Sequence, residues 1–260
     1  AIAVEVFHNF TLMHDDIMDN APLRRGKATV HEKWNTNIAI LSGDVMLVEA
    51  YKQFLSVDKK HLKNVLERFN ETAAGVCEGQ QYDMNFESLS TISVDAYINM
   101  IRLKTAVLLG FSMELGGIIG DADAKCCTNL RNVGIAAGIG FQLKDDLLDV
   151  YGDAATFGKQ VGGDILANKK TYLLIRALEK ATGKTKKELE SLLTDKTISD
   201  KAKIEGVTAI YNQLEIKEET EHRIQFYFED AITSLNKVKG SLFRKHYLKD
   251  YLLTLIGREQ

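Results

Sequence analysis

The chain has 260 residues, 45% hydrophobic and 27% charged, and its 33 basic and 36 acidic side chains leave a net charge of −3. So much apolar surface with so little net charge excludes a disordered chain, and the lack of a basic stripe excludes an ordinary nucleic-acid binder. One proline in 260 residues points to long helices with few irregular connections, because proline collects in loops and at edges.

Apolar residues recur at helical spacing almost throughout, and no long alternating strand pattern appears. The pattern predicts helices over 1–19, 36–56, 58–85, 93–120, 124–151, 168–182, 185–195, 199–214 and 216–256. The first opens inside an apolar pattern (Ile2, Val4, Val6, Phe7, Phe10) without an initiator methionine, so the expectation is a start within a helix, with an upstream part of the natural protein missing. Asn20-Ala21-Pro22 ends it, since proline disfavours helix in the residue before it. Ser93 and Asp95 are candidate caps for the helix that follows them. The apolar stretch from Ala106 to Gly120 contains Glu114 and is too short to span a bilayer, so it reads as a buried helix. Gly152 to Lys170, with Gly152, Gly158, Gly162 and Gly163, is the clearest loop. Beyond Thr182 charged and apolar faces alternate, as in outer helices. One all-α domain over residues 1–260 is the economical reading. Cys77, Cys126 and Cys127 form no even framework and no CxxC pair, which predicts reduced thiols and a cytoplasmic protein.

The chemistry is concentrated in two runs, His14-Asp15-Asp16-Ile17-Met18-Asp19 and Lys144-Asp145-Asp146-Leu147-Leu148-Asp149. On a helix Asp15 shares a face with Asp19, and Asp145 with Asp149. Like charges at that spacing destabilise a helix, so their presence inside apolar sequence calls for a compensating cation. Magnesium suits a site with few protein carboxylates, because water and phosphate oxygens complete its octahedron. Cationic side chains recur nearby: Arg24-Arg25-Gly26-Lys27 after the first run, then Lys104-Thr105, Lys159, and Lys169-Lys170-Thr171. Arginine grips phosphate oxygens bidentately and lysine supplies a point charge. Together these groups describe a site for a metal-bridged diphosphate. Two shorter matches are coincidental. Glu5-Val6-Phe7-His8 lacks the second Glu-x-x-His of a di-iron bundle, and Gly183-Lys184-Thr185 lacks the first glycine and the strand of a P-loop.

The chain resembles the trans-isoprenyl diphosphate synthases (polyprenyl synthetases). The matching segments are Leu12 to Asn20 with Arg24-Arg25-Gly26-Lys27, Ser42-Gly43-Asp44, Gly79-Gln80 with Asp83, Lys104-Thr105, Gly140 to Asp149, and Gly158-Lys159 through Asp164 to Lys170-Thr171. The resemblance implies an antiparallel helix bundle around a central cavity, with the two runs facing each other across it. It implies Asp15, Asp19 and Asp145 as the main magnesium ligands, with Asp16, Asp146 and Asp149 in the same metal-binding runs, and three ions when substrate is bound. Arg24, Lys104, Thr105, Gln142, Lys159 and Lys169 resemble contacts to an allylic diphosphate, with Lys104, Thr105, Gln142 and Lys159 closest to the chemistry. His8 and Arg25 resemble contacts to isopentenyl diphosphate. The family's Gly-Gly-Lys segment lies upstream of the first run, where this chain has fourteen residues and no lysine or arginine.

The expected activity is condensation of isopentenyl diphosphate with an allylic diphosphate by a homodimer, the helices between 58 and 120 supplying the pairing surface. Phe10 precedes Asp15 by about 7.5 Å along the helix axis and Phe7 by about 12 Å. A ring at Phe10 as the cavity floor predicts a C15 or C20 product. Longer-chain synthases are the nearest alternative. A terpene cyclase usually lacks the second full run and the arginine doublet, and a non-catalytic synthase subunit typically has eroded aspartates.

Overall fold

The computed structural model describes residues 1–152 and 161–256. Helix α1 (Ile2–Met18) stops where the sequence says it should. Asn20 takes a left-handed φ of 49°, which asparagine tolerates, and Ala21 N donates back to Asp16 O at 2.9 Å, closing the helix end. Strands β1 (Leu23–Arg24) and β2 (Lys27–Ala28) then pair antiparallel. Their two-residue loop, Arg25-Gly26, has φ of 52° and 73°, the double left-handed geometry of a type I′ turn.

Helix α2 (Val30–Lys33) leads into α3 (Thr36–Phe54), whose first turn is capped by Asn35 accepting from Ile38 N at 2.9 Å. Helix α4 is Lys59–Glu87. Helix α5 (Val94–Ile101), capped by Ser93, continues through a π-helical turn (Arg102–Ala106) into α6 (Val107–Ile119). Helix α7 (Ala124–Tyr151) is capped by Asp123, and after it come α8 (Gly163–Leu166) and α9 (Tyr172–Lys180). Helices α10 (Gly183–Thr194), α11 (Asp200–Gln213), α12 (Ile216–Asn236) and α13 (Leu242–Ile256) complete the fold.

The all-α bundle matches the expectation, with local corrections. The helix expected over 93–120 is interrupted by a π turn. The one expected over 168–182 begins at Tyr172, because Thr171 caps it. The single helix expected over 216–256 is two helices separated at Gly240, since apolar spacing continues across the break and conceals it. Asp95 lies in the first turn of α5, while Ser93 does the capping. The β1–β2 hairpin and α2 are too short to leave a periodic signal.

Helix α7 is the axis of the bundle, packed between α6 and α12. Small residues let it approach α6 closely: a Cβ at Gly134 would lie 2.4 Å from Leu109 O. Leu143, Leu173, Ile216 and Phe228 are sealed in the core on this side. A second core lies between α1, α3, α4 and α6, centred on Phe69. The Phe69 ring centroid is 5.0 Å from Phe7, 4.7 Å from Phe54 and 5.8 Å from Phe111. Each such pair contributes about 0.5–1.5 kcal/mol beyond its buried area, so this end of the bundle is rigid and dry. Among the described residues no helix is long and apolar enough to cross a membrane.

Candidate active site

The first acidic run closes α1. Asp16 is buried beneath the hairpin and accepts from Arg24 Nε at 2.7 Å, while Arg24 Nη2 lies 3.4 Å from Asp15 Oδ2. The tight turn at Arg25-Gly26 thus folds Arg24 back onto the helix it follows. His14, one residue before the run, lies over Gly43 of α3, where an added Cβ would come within 2.3 Å of its ring. That close fit accounts for glycine in the Ser42-Gly43-Asp44 segment.

The π turn joins the first run to the second. Lys104 Nζ sits 3.1 Å from Asp15 Oδ1 and 2.6 Å from Asp83 Oδ2 on α4. Thr105, the next residue, donates its hydroxyl to Gln142 Oε1 on α7 at 3.2 Å. The extra residue of a π turn bulges the backbone, and α4 accommodates it with Gly79, where a Cβ would lie 2.2 Å from Lys104 N. Gly79 therefore sets the position of Lys104 and Thr105 by having no side chain.

On α7, Gln142 Nε2 donates to Asp146 Oδ1 at 3.1 Å, and the hydroxyl of Tyr97 donates to Asp146 Oδ2. Burial pushes the Asp146 carboxyl up to about 7, assisted by the negative charge of Asp164 and opposed by Lys169. Asp149 accepts from Asp164 N at 2.9 Å and thereby caps the short α8. Asp145 and Asp149 lie one turn apart on the less buried side of α7.

Lys169 ties the halves together electrostatically. Desolvation alone would lower its pKa, but Asp164 and Asp83, with Asp146 and Asp19 behind them, hold it well above the ordinary lysine value. Solvent still reaches 46% of its side chain, so the head remains available to an anion. Asp19 is shifted upward, first by desolvation and then by the charge of Asp15. His8 is shifted downward by burial, against Glu5, with Arg25 and Arg24 adding to the fall. The charges of Arg25 and Arg24 thus reach His8.

The residues fit a hard divalent cation. Asp15 Oδ1 is buried and no donor meets it in hydrogen-bonding geometry, although the Lys104 charge is near. Among the described residues no three His, Cys, Asp or Glu side chains converge on one point. Paired carboxylates without a complete shell suit an ion that takes its remaining oxygens from water and phosphate.

Asp15, Asp16, Asp19, Arg24, Lys104, Thr105, Gln142, Asp146 and Lys169 thus belong to one connected site. Arg25 stands at the exposed hairpin tip, and Lys159 lies outside the described residues. Phe7 is enclosed, while Phe10 packs between Phe7 at 5.6 Å and His14 at 4.7 Å. Asp83, Gly79 and Asp164 were visible in the sequence only as parts of a matching pattern. Tyr97 carries no motif of its own in the sequence, although it stands seven residues before Lys104, a spacing that shares a helix face.

A family model described as polyprenyl synthetase matches residues 1–213. The short chain isoprenyl diphosphate synthase of Methanocaldococcus jannaschii is 38% identical over 216 residues, covering 83% of this chain and 66% of that protein. The geranylgeranyl diphosphate synthase of Saccharolobus solfataricus is 42% identical over 200 residues, 75% of this chain and 60% of that one. A crystal structure of a geranylgeranyl pyrophosphate synthase superposes with a TM-score of 0.94 at 43% identity, covering 99% of this chain and 80% of that one. The chain thus spans between 60% and 66% of the length of these two curated relatives.

Proposed function

This chain belongs to the polyprenyl synthetase family, and on that premise we propose that the protein condenses isopentenyl diphosphate with an allylic diphosphate to give a C15 or C20 prenyl diphosphate. The observation that carries this reading is the junction at the π turn: adjacent residues Lys104 and Thr105 reach Asp15 of one acidic run and Gln142 beside the other. A diphosphate seated there meets both carboxylate pairs and the charges of Arg24, Lys104 and Lys169.

Asp15 with Asp19, and Asp145 with Asp149, are the groups to hold magnesium, each pair sharing a helix face by its spacing of four, while Asp16 meets Arg24 and Asp146 meets Tyr97 and Gln142. Bound magnesium supplies Lewis-acid neutralisation of the diphosphate. The hard step is departure of that diphosphate from the allylic carbon, which concentrates negative charge on its oxygens. Arg24, Lys104 and Lys169 are held by carboxylates before substrate arrives, so their charge is already oriented when the bond breaks. The aromatic cluster beneath the run excludes water that would capture the allylic cation. In this reading His8 and Arg25 take the isopentenyl diphosphate, and the released diphosphate accepts the final proton. Lys159 completes this reading as a further phosphate contact.

We take the partner of α3 to be a second copy of the chain. Ile38, Leu41, Val45, Val48 and Leu55 are exposed at spacings of three, four and seven, which makes one apolar seam along the helix and its C-terminal end. In this reading α3 joins the helices between 58 and 120 as a homodimer surface. Three free cysteines, two of them buried neighbours, suit a cytoplasmic protein.

The test is product chromatography after incubating the full-length protein and magnesium with labelled isopentenyl diphosphate and, separately, C5, C10 and C15 allylic diphosphates. Isopentenyl-dependent C15 or C20 product is expected. A cyclic hydrocarbon formed from the allylic substrate alone would replace this reading with a terpene cyclase.

A further inference from the structure

Tyr97 lies on α5, away from the groups that face substrate in the reading above. It is 2% exposed, and Asp146, which its hydroxyl meets, is 4% exposed. From Asp146 the contacts continue through Gln142 to Thr105, at 3.1 Å and 3.2 Å. Four side chains thus run from α5 across to α7 and back to the π turn.

The order of donors along this path matters. The two ends of a glutamine amide are alike in shape and opposite in hydrogen bonding. Which end faces Thr105 is decided by what faces the other end. Asp146 Oδ1 accepts from Nε2 of Gln142, and that contact turns Oε1 to the threonine hydroxyl. One N–H of the amide then remains for a phosphate oxygen. This holds only while the carboxylate keeps a fixed plane, and a buried carboxylate with a single donor is both costly and free to turn. Tyr97 supplies the second donor, on the second oxygen, from a ring that its surroundings lock.

We infer that Tyr97 is a positioning residue for the transferase: through Asp146 it orients Gln142 and Thr105 toward the diphosphate of the allylic substrate. This rests on the function proposed above. Tyr97→Phe keeps the ring and removes one hydroxyl, and Gln142→Ala removes the group through which the tyrosine acts.

In the full-length protein, Tyr97→Phe should lower kcat/KM for the allylic diphosphate about tenfold, the order expected for one donor lost from a charged network. The KM for isopentenyl diphosphate should stay within about twofold, because Tyr97 has no path to His8 or Arg25. In a Gln142→Ala background the same substitution should add less than about twofold, since residues acting in series do not add. A merely structural tyrosine would give the same loss in both backgrounds and would affect both substrates alike. Either result overturns the inference, as does unchanged kinetics in Tyr97→Phe. Should Tyr97→Phe not fold, Asp146→Leu takes its place: it leaves Gln142 Nε2 without its acceptor and must show the same allylic-selective loss and the same non-additivity. If the wild type makes no prenyl product, the proposed function fails on its own. Calorimetric titration with inorganic diphosphate and magnesium then decides the inference, with affinity about fivefold weaker in the variant expected and equal affinity overturning it.

Discussion

The two acidic runs are near copies in sequence, yet their middle aspartates sit in opposite surroundings. Asp16 is buried against a guanidinium, Arg24 Nε at 2.7 Å, delivered by a hairpin from the same end of α1. Asp146 is buried against two neutral donors, Tyr97 and Gln142, and burial together with Asp164 lifts it to about 7. One run is organised by an ion pair on a surface hairpin, the other by a neutral lattice between core helices. Identical letters thus specify a shared outward pair of carboxylates, while the inward carboxylate is set by whatever each helix packs against.

The sharpest way to break the comparison is at the residue both halves meet. Lys104→Ala removes the cation lying 3.1 Å from Asp15 and 2.6 Å from Asp83. Turnover should fall by about 10³-fold, as for loss of a preorganised electrostatic contact at developing charge, and single-turnover kinetics with saturating magnesium measure it. Thr105→Val should cost less, because it touches only the second half.

Next in size is Gly79→Ala. Its Cβ would stand 2.2 Å from Lys104 N, against backbone and not a flexible side chain that could yield. Overpacking of this kind costs about 3 kcal/mol, read as a lower urea midpoint, and the displaced π turn should raise the KM for the allylic substrate as well. A variant with wild-type stability and kinetics would show that the close approach does not fix Lys104.

These two residues also mark what the sequence could and could not reveal. The outward pairs, Asp15 with Asp19 and Asp145 with Asp149, follow from helical spacing alone, and so does the bundle. The π turn does not, because one extra residue inside a continuous apolar helix leaves the periodicity nearly intact. The hairpin carrying Arg24 is two residues per strand, shorter than any pattern can register. Tyr97 reads as one more core aromatic, since burial hides that its hydroxyl has a partner. Gly79 and Asp83 acquire their physical reason only from the packing of α4 against the π turn.

A smaller effect separates the two middle aspartates by pH. Asp146 has a folded pKa near 7 against an ordinary value of 3.8, so the fold binds its proton more tightly than the unfolded chain does. Its contribution is fully present below about pH 4 and is lost as pH rises through 7. In metal-free protein, thermal midpoints should therefore decline over that interval, and Asp146→Asn should flatten the decline. Asp16→Asn should instead lower stability by about 1.5–3 kcal/mol through the loss of a charge-assisted bond to Arg24. An unaltered pH slope in Asp146→Asn would remove the contrast.

The smallest change, and the most selective, concerns the apolar end. Phe10 touches both regions: its ring meets His14 beside the acidic run at 4.7 Å and Phe7 of the aromatic cluster at 5.6 Å. Phe7 is enclosed within that cluster and reaches Phe69 at 5.0 Å. Truncating either ring costs about 3–5 kcal/mol as a core deletion, so stability does not distinguish their roles. Product length does. If Phe10 is the floor beneath the growing chain, Phe10→Ala should move the product upward by about one C5 unit, because the vacated ring volume opens directly below the carboxylates that hold the diphosphate. Phe7→Ala removes the same ring from behind that floor and should leave the product distribution unchanged. An unaltered distribution in Phe10→Ala would return Phe10 to the ordinary core and place the stop elsewhere along the bundle.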